Sequence, residues 1–298
     1  MTVSRYVRVS LDGSTFQGIR CTDWDFDVDR QVLVEELIEE DIPLAEAGGL
    51  RNTVTFTSNV RGEEFRPIFT AIIGSESYDD VEGIYSYAWG TPQKLAVVAL
   101  GETIQTSGST QEWSFSDVYI SSVEFRFEPN SFVQATVNAV GTSLGDGTFS
   151  APSYSSKRPL VTRLVTLSLD TTTYYPKSVT LTIDRSIADD RYLVGQSTID
   201  PAYYRVANIN GSITFREEDL AEIKKAVYGE GATDQSSNEL AEVVLEITAK
   251  SGSDDYIYIK LPAAMYTRGR ASVRGRDEAE RSVDFRMIKS EPTIEYHV

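Results

Sequence analysis

Short alternations of apolar and polar residues recur along most of the chain. Examples are residues 6–11, 123–127, 179–183 and 256–259, which are rich in Val, Ile, Tyr, Phe and Thr. Alternation with a period of two places one set of side chains on each face of a strand, and this composition favours antiparallel sheet. The pattern therefore predicts a mainly β protein.

Two segments, residues 63–74 and 218–229, follow a helical period instead. Each begins with acidic residues and ends on a glycine, as helices often do. At a constant offset of 155 their apolar positions coincide on one helix face: Phe65 with Leu220, Ile68 with Ile223, Ala71 with Ala226, and Ile72 with Val227. The sequence therefore predicts two corresponding helices.

The neighbours of the two helices also correspond, which indicates an internal duplication. A strand precedes each helix, at 53–56 and 212–215, and Val-Asp-Arg at 28–30 stands 155 residues before Ile-Asp-Arg at 183–185. Strands also follow in both halves, at 95–100 and 132–140, then at 240–245 and 283–288. We predict two tandem β-sandwich or half-barrel domains, residues 1–145 and 160–298, each with one flanking helix and one long loop. A Gly-, Pro- and Ser-rich linker, residues 146–159, joins them.

The composition limits the kinds of catalytic and metal sites that this chain can form. The 298 residues contain one cysteine, Cys21, and one histidine, His297. An intramolecular disulfide, a metal centre built on several His or Cys ligands, and most Ser–His or Cys–His catalysis are therefore not expected. No apolar run is long enough to span a membrane and the N-terminus does not resemble a secretory signal. We predict no catalytic residues, no metal site and no cofactor.

The net charge is −17 and the acidic residues are spread along the chain. Such a field repels nucleic acid at long range. Arg outnumbers Lys by 20 to 8, and an acidic excess with few lysines is common in proteins that work in concentrated salt. A halophilic origin and an ordinary acidic protein both remain open interpretations.

Four aspartates alternate with apolar residues near the N-terminus: Asp23, Asp25, Asp27 and Asp29. A strand would place Trp24, Phe26 and Val28 on the core face and the four carboxylates on the other. The motif lacks the glycine and the distal glutamate of a calcium loop. Three interpretations of these aspartates remain open: a solvated strand face, a surface that binds a cation, and a negatively charged stripe that keeps a passing molecule from binding. At the matching place in the second half stand Thr180, Thr182 and Asp184.

Each half has a long segment before its pre-helix strand, residues 31–51 and 186–210, which we expect to be a loop. Segments of this length usually have a function, and both mix apolar and charged residues as interfaces do. The candidate contact residues are Glu35, Glu36, Leu37, Ile38, Glu39 and Glu40, then Asp189, Arg191, Tyr192 and Leu193. A surface excursion without a partner is the alternative.

An arginine cluster lies near the C-terminus: Arg268, Arg270, Arg274 and Arg276. Phosphate binding is one interpretation. The acidic residues Asp277, Glu278 and Glu280 follow directly and disfavour it. We therefore expect salt bridges between subunits at these arginines.

This organisation resembles the tail tube proteins of long-tailed viruses. The resemblance covers essentially the whole chain and rests on the Val-Asp-Arg and Ile-Asp-Arg strands, the two glycine-ended helices and the Gly/Ser-rich linker. It implies a structural virion protein whose sandwiches join edge to edge into stacked rings. A duplicated chain would form a trimeric, pseudo-hexameric ring around a channel with an acidic lumen.

The resemblance also implies residue roles and partners. Asp23, Asp25, Asp27 and Asp29, with Thr180, Thr182 and Asp184, would face the lumen, and the long segments would carry ring stacking. The partners would be further copies of the chain, a tape measure protein, a tail terminator and a baseplate or tip. Viral DNA would pass without specific binding, and assembly would take place in the host cytoplasm.

Two other classes remain. A β-sandwich adhesin, baseplate or capsid-decorating protein would share this composition, and Tyr174-Tyr175 and Tyr203-Tyr204 are its candidate contact aromatics. A jelly-roll hydrolase would need an acid–base pair of carboxyl groups, and none stands out among the 45 acidic residues.

Overall fold

The structure, a computed structural model, describes ten stretches of the chain: residues 3–35, 44–104, 109–147, 153–187, 207–215, 220–229, 241–252, 255–272, 280–288 and 290–298. Strands dominate these stretches, which also contain two α-helices and one short 3-10 helix. The prediction of a mainly β fold, with a helix in each half of the chain, is confirmed.

In the described residues, the first half of the chain contains nine strands and helix α1 (Gly62–Ile73). The strands are β1 (Val3–Ser10), β2 (Gln17–Ile19), β3 (Cys21–Glu35), β4 (Leu44–Asn59), β5 (Gly74–Asp79), β6 (Ile84–Trp89), β7 (Leu95–Ile104), β8 (Ser109–Phe127) and β9 (Gln134–Asp146).

The described part of the second half begins with the 3-10 helix (Thr162–Leu164) and contains helix α2 (Leu220–Tyr228). Its strands are β10 (Val165–Leu169), β11 (Thr172–Tyr174), β12 (Ser178–Asp184), β13 (Asn208–Phe215), β14 (Glu242–Lys250), β15 (Tyr256–Ser272), β16 (Glu280–Met287) and β17 (Thr293–His297).

Both helices end where the sequence predicts. Gly74 follows α1 with φ 144°, and its N–H donates to the Thr70 carbonyl. Gly229 follows α2 with φ 90°, and its N–H donates to the Lys225 carbonyl. A side chain at these positive φ values would be strained, so glycine is the residue that ends each helix at low cost.

Eight strands form one continuous antiparallel sheet that runs through both halves. Their order is β3-β4-β9-β8-β12-β13-β16-β15. The first four strands come from the first half and the last four from the second. The order is β3, β4, β9 and β8 in the first half, and β12, β13, β16 and β15 in the second. In both, the strand before the long segment comes first, and the pre-helix strand, the closing strand and a long strand follow. The two halves therefore repeat one strand order.

The long strands β8 and β15 extend beyond this sheet and build the rest of the sandwich. At its other end β8 pairs with β7, which pairs with β1, and β15 pairs with β14 and β17. Helix α1 packs on β8, and helix α2 packs on β15 and β16. The core is one cluster in which Phe69 of α1 lies 6.0 Å from Phe125 and 5.3 Å from Tyr87, between ring centroids.

Two further contacts tie the halves together. The C-terminal strand β17 pairs with β6 of the first half, with Ile294 opposite Tyr87. Beneath it, Gly62 lies so close to the Tyr296 ring that a Cβ at position 62 would stand 2.0 Å from a ring carbon. Only glycine fits this approach of helix and strand.

The second contact is made by Arg185, directly after β12. This buried side chain donates from Nε to the Ile72 carbonyl (2.7 Å) and from one terminal nitrogen to the carbonyls of Ile73 (2.8 Å) and Gly90 (3.1 Å). Its guanidinium lies 3.6 Å from the centroid of the Trp89 ring. An arginine of the second half therefore caps the C-terminus of the first-half helix, where a cation is favoured.

Candidate functional site

The eight-stranded sheet has a core face and a polar face. Along β12, Val179, Leu181 and Ile183 are buried, while the residues between them are partly exposed on the other side. Hydroxyl and amide side chains bond across the polar face: Thr55 to Asn138 (2.9 Å), Asn138 to Ser122 (3.0 Å), Thr57 with Thr136 (3.1 Å) and Thr180 with Ser212 (3.1 Å). Cross-strand pairs of this kind hold the strands in register.

The acidic stripe lies on the polar face of β3. The alternation predicted from the sequence is confirmed, because all four stripe side chains are exposed: Asp23, Asp25, Asp27 and Asp29. Trp24 and Phe26 turn to the other side, where their rings lie 5.3 Å and 5.4 Å from the Trp113 ring, between centroids. Among the described strands β3 pairs only with β4, so its second edge is open.

The corresponding strand of the second half, β12, is closed on both sides. It pairs with β13 on one side and with β8 of the first half on the other. Thr180, Thr182 and Asp184 lie on the same polar face as the stripe, partly exposed. The Asp184 carboxylate accepts from the backbone N–H (2.7 Å) and the hydroxyl (3.2 Å) of Ser186.

The other end of the sheet is the last part of β15. After an irregularity at Thr267, residues 268–272 pair with β16 on one side, and among the described strands none lies on their other side. Arg268 and Arg270 are exposed there, while Gly269 between them faces Val227 and Ala226 of α2. Arg274 and Arg276 lie outside the described residues. The sheet therefore presents an acidic open edge at β3 and a basic open edge at β15.

The long segments differ in part from the predicted loops. Residues 31–35 continue β3 and residues 44–51 belong to β4, with Glu35 opposite Leu44, so the described parts form the arms of a long β-hairpin. The prediction of a loop was wrong there, because the Val-Leu-Val run at 32–34 favours extended backbone and pairs with residues 45–47. Glu36, Leu37, Ile38, Glu39, Glu40, Asp189, Arg191, Tyr192 and Leu193 lie outside the described residues.

Each helix also carries one buried glutamate that the sequence pattern does not predict. Glu64 of α1 accepts from the backbone N–H of Arg20 (3.1 Å) and from its guanidinium, and Arg61 lies 3.7 Å away. Burial raises the pKa of the Glu64 carboxyl in spite of these cations. Each charge has a partner inside the protein, so this cluster attaches helix to sheet.

In α2 the buried carboxylate of Glu222 accepts from the hydroxyls of Tyr266 (2.5 Å) and Tyr174 (2.9 Å). Burial raises the pKa of Tyr266, and its hydrogen bond to Glu222 raises it further. Tyr266 is the residue of β15 directly before the open stretch. The bond therefore fixes the base of the basic edge to helix α2.

Within the described stretches, no three His, Cys, Asp or Glu side chains are grouped so that they could hold a metal ion, and this includes the stripe. Neither described helix is long and apolar enough to cross a membrane.

A continuous sheet with two unlike open edges and a polar face defines a subunit suited to edge-to-edge assembly. A model of the phage tail tube protein family matches residues 13–287, and the chain belongs to this family. The chain is therefore a structural component of the virion tail that assembles with itself into a tube and contacts other tail components. The comparison with curated proteins found no match.

Proposed function

We propose that three copies of this chain close into a ring of six corresponding arcs, and that stacked rings form the tail tube through which the genome is delivered. Each copy would supply two arcs. The basic edge of one copy would join the acidic edge of the next, and the third copy would close on the first.

The observation that carries this proposal is the pairing of β8 with β12. It joins two four-stranded sheets of the same strand order, edge to edge, inside one chain. Repeating that step joins a second chain at the edge that remains open. A head-to-tail contact repeated around an axis closes into a ring when the rotation fits, and closure removes the exposed edges.

The polar face supports a channel wall. We assign Asp23, Asp25, Asp27 and Asp29 to the lumen side, with Thr180, Thr182 and Asp184 of the second half. At 10 Å in water two unit charges interact by only about 0.4 kcal/mol, and salt weakens this further. A wall of many weak repulsions keeps the phosphates of passing DNA from adhering without blocking them.

We assign ring stacking to the hairpin of β3 and β4 and to the segment 186–210, because each connects the first two strands of its four along the chain. Tape measure, terminator and baseplate or tip proteins would bind the tube from within and at its ends. Assembly would take place in the host cytoplasm.

Purified full-length protein tests the ring. Electron microscopy should show rings or hollow tubes with six-fold appearance, and light scattering of single rings should give the mass of three chains. Monomers at every concentration and salt would refute the proposal.

A hairpin variant separates ring closure from stacking. Residues 36–43 are replaced by Asn-Gly, a turn that suits a two-residue hairpin. Single rings without long tubes are expected. Tubes of unchanged length would show that this hairpin does not carry stacking.

A further inference from the structure

The pairing of β8 with β12, which we call the internal junction, provides a template for the register in which the open edges of two copies would pair. Where β8 meets β12, Thr182 lies opposite Glu124 and Thr180 opposite Arg126, all on the polar face. On the core face, Leu181 lies opposite Phe125. The join is antiparallel and continues both the core and the polar face across the boundary between the halves.

The strand registers show which residues of β3 correspond to those of β12. Val54 and Ile213 occupy matching places in the pre-helix strands, as the sequence repeat indicates. Phe26 pairs with Val54, and Val179 pairs with Ile213. Asp27 therefore corresponds to Thr180, and Asp29 corresponds to Thr182.

The same procedure relates β15 to β8. Val54 pairs with Ala139 and Ile213 with Val283, so the preceding residues Asn138 and Ser282 correspond. Their partners are Ser122 in β8 and Arg270 in β15. Two residues further on, Ser272 of β15 corresponds to Glu124 of β8.

We propose that β3 of one copy pairs antiparallel with β15 of the next copy in the register of the internal junction, with Asp29 opposite Ser272. This rests on the proposed ring, whose contact it specifies. Arg270 then lies diagonally across the strands from Asp29, within reach for long side chains.

The charges then explain why the two edges are unlike. A β3 edge paired with another β3 edge would bring carboxylates together, and two β15 edges would bring guanidinium groups together. Only the mixed pair places opposite charges side by side, and like-charge contacts disfavour wrong partners. Assembly is thereby directed head to tail, which a closed ring requires.

Disulfide trapping tests the register in the assembled full-length protein. In a Cys21→Ser background, Asp29→Cys with Ser272→Cys should give, on mild oxidation, dimers and covalent trimers but no longer ladder. The matched control, Thr182→Cys with Glu124→Cys, has the same geometry inside the chain and should form a disulfide without joining chains. Moving the second cysteine from 272 to 268 should abolish the link between chains.

An exchange of charges between the two edges tests the same register if the cysteine variant does not assemble. Asp29→Arg or Arg270→Asp alone should raise the concentration needed for assembly at least about fivefold, and the double exchange should return it to within about twofold. Rings that form without the 29–272 disulfide, or a double exchange no better than the single ones, would overturn this register and leave the ring intact. Wild-type protein without rings would instead refute the proposed function.

Discussion

Strands β3 and β12 occupy the same place in the two four-stranded sheets, and they differ in what lies beside them. β12 is closed by β8 of the same chain and carries Thr180 and Thr182 on its polar face. β3 is open and carries four exposed aspartates at and around the corresponding positions. Among the described strands, the acidic residues therefore stand on the one of the two whose second edge has no neighbour.

This difference indicates that charged side chains are needed at the open edge and not at the closed junction. A junction inside one chain finds its partner at high effective concentration, because the two strands are covalently connected. An open edge meets every other edge in solution, and charged side chains are a common protection against wrong pairing. Substitutions at the closed junction should therefore lower the stability of the fold more than substitutions of the charges.

The largest effect is expected at the closed junction. Arg185→Ala removes the cap of α1 and leaves three backbone carbonyls without that donor, so we expect a loss of about 4 kcal/mol in the free energy of unfolding. Arg185→Lys should restore little of it, because an ammonium lacks the planar fork. Urea unfolding measures both. The exposed Arg126→Ala is the control, and an equal loss there would contradict the capping role.

The second contact between the halves comes next. Gly62→Ala places a methyl group against the Tyr296 ring, and we expect a loss of about 3 kcal/mol from overpacking. Gly145→Ala is the matched control, because nothing lies within 4 Å of its Cβ position. Thermal unfolding compares the two. Equal midpoints would show that β17 moves away from α1 at little cost.

At the base of the basic edge, Tyr266→Phe removes a buried hydroxyl from Glu222. A loss of about 2 kcal/mol is expected, because the carboxylate keeps its burial and loses one donor. Tyr258→Phe, on the same strand but less buried, should cost less. If ring formation also weakens at equal stability, the hydrogen bond orients the open edge.

Alkaline pH should weaken the fold through these tyrosines. Burial, together with hydrogen bonds to carboxylates, raises the pKa of Tyr266 and raises that of Tyr258 to about 12. In the unfolded chain both ionise near pH 10, so above that pH the folded state holds more protons and stability falls as the pH rises. Unfolding measured from pH 8 to 11 should show this slope, reduced in Tyr266→Phe.

The smallest effect transfers the acidic stripe to the closed strand. Thr182→Asp puts a carboxylate opposite Glu124 and should cost about 0.5 kcal/mol, whereas Thr180→Asp lies opposite Arg126 and should cost less. Added salt should remove the difference between the two variants. A difference that persists at high salt would mean that charge is not its cause.

The sequence predicted well what depends on neighbours along the chain. The period of two placed Asp23, Asp25, Asp27 and Asp29 opposite Trp24 and Phe26, and the helical period with terminal glycines located both helices. It predicted less well where extended pairing replaced a loop, at residues 31–35 and 44–51. The sequence does not predict the role of Arg185 either, although its Ile-Asp-Arg motif belongs to the repeat, because its acceptors in α1 are more than one hundred residues away.

The correspondence between the two halves also separates what the sequence predicts from what the tertiary structure adds. The sequence predicts that a unit recurs, and it aligns residues 28–30 with 183–185. The tertiary structure shifted that match by two residues, so that Asp27 corresponds to Thr180. The structure also shows β12 between two strands, whereas among the described strands one side of β3 and of the last part of β15 has no neighbour. Local periodicity sets which face a side chain takes, whereas strand order and register depend on backbone hydrogen bonds between distant segments, which no local pattern encodes.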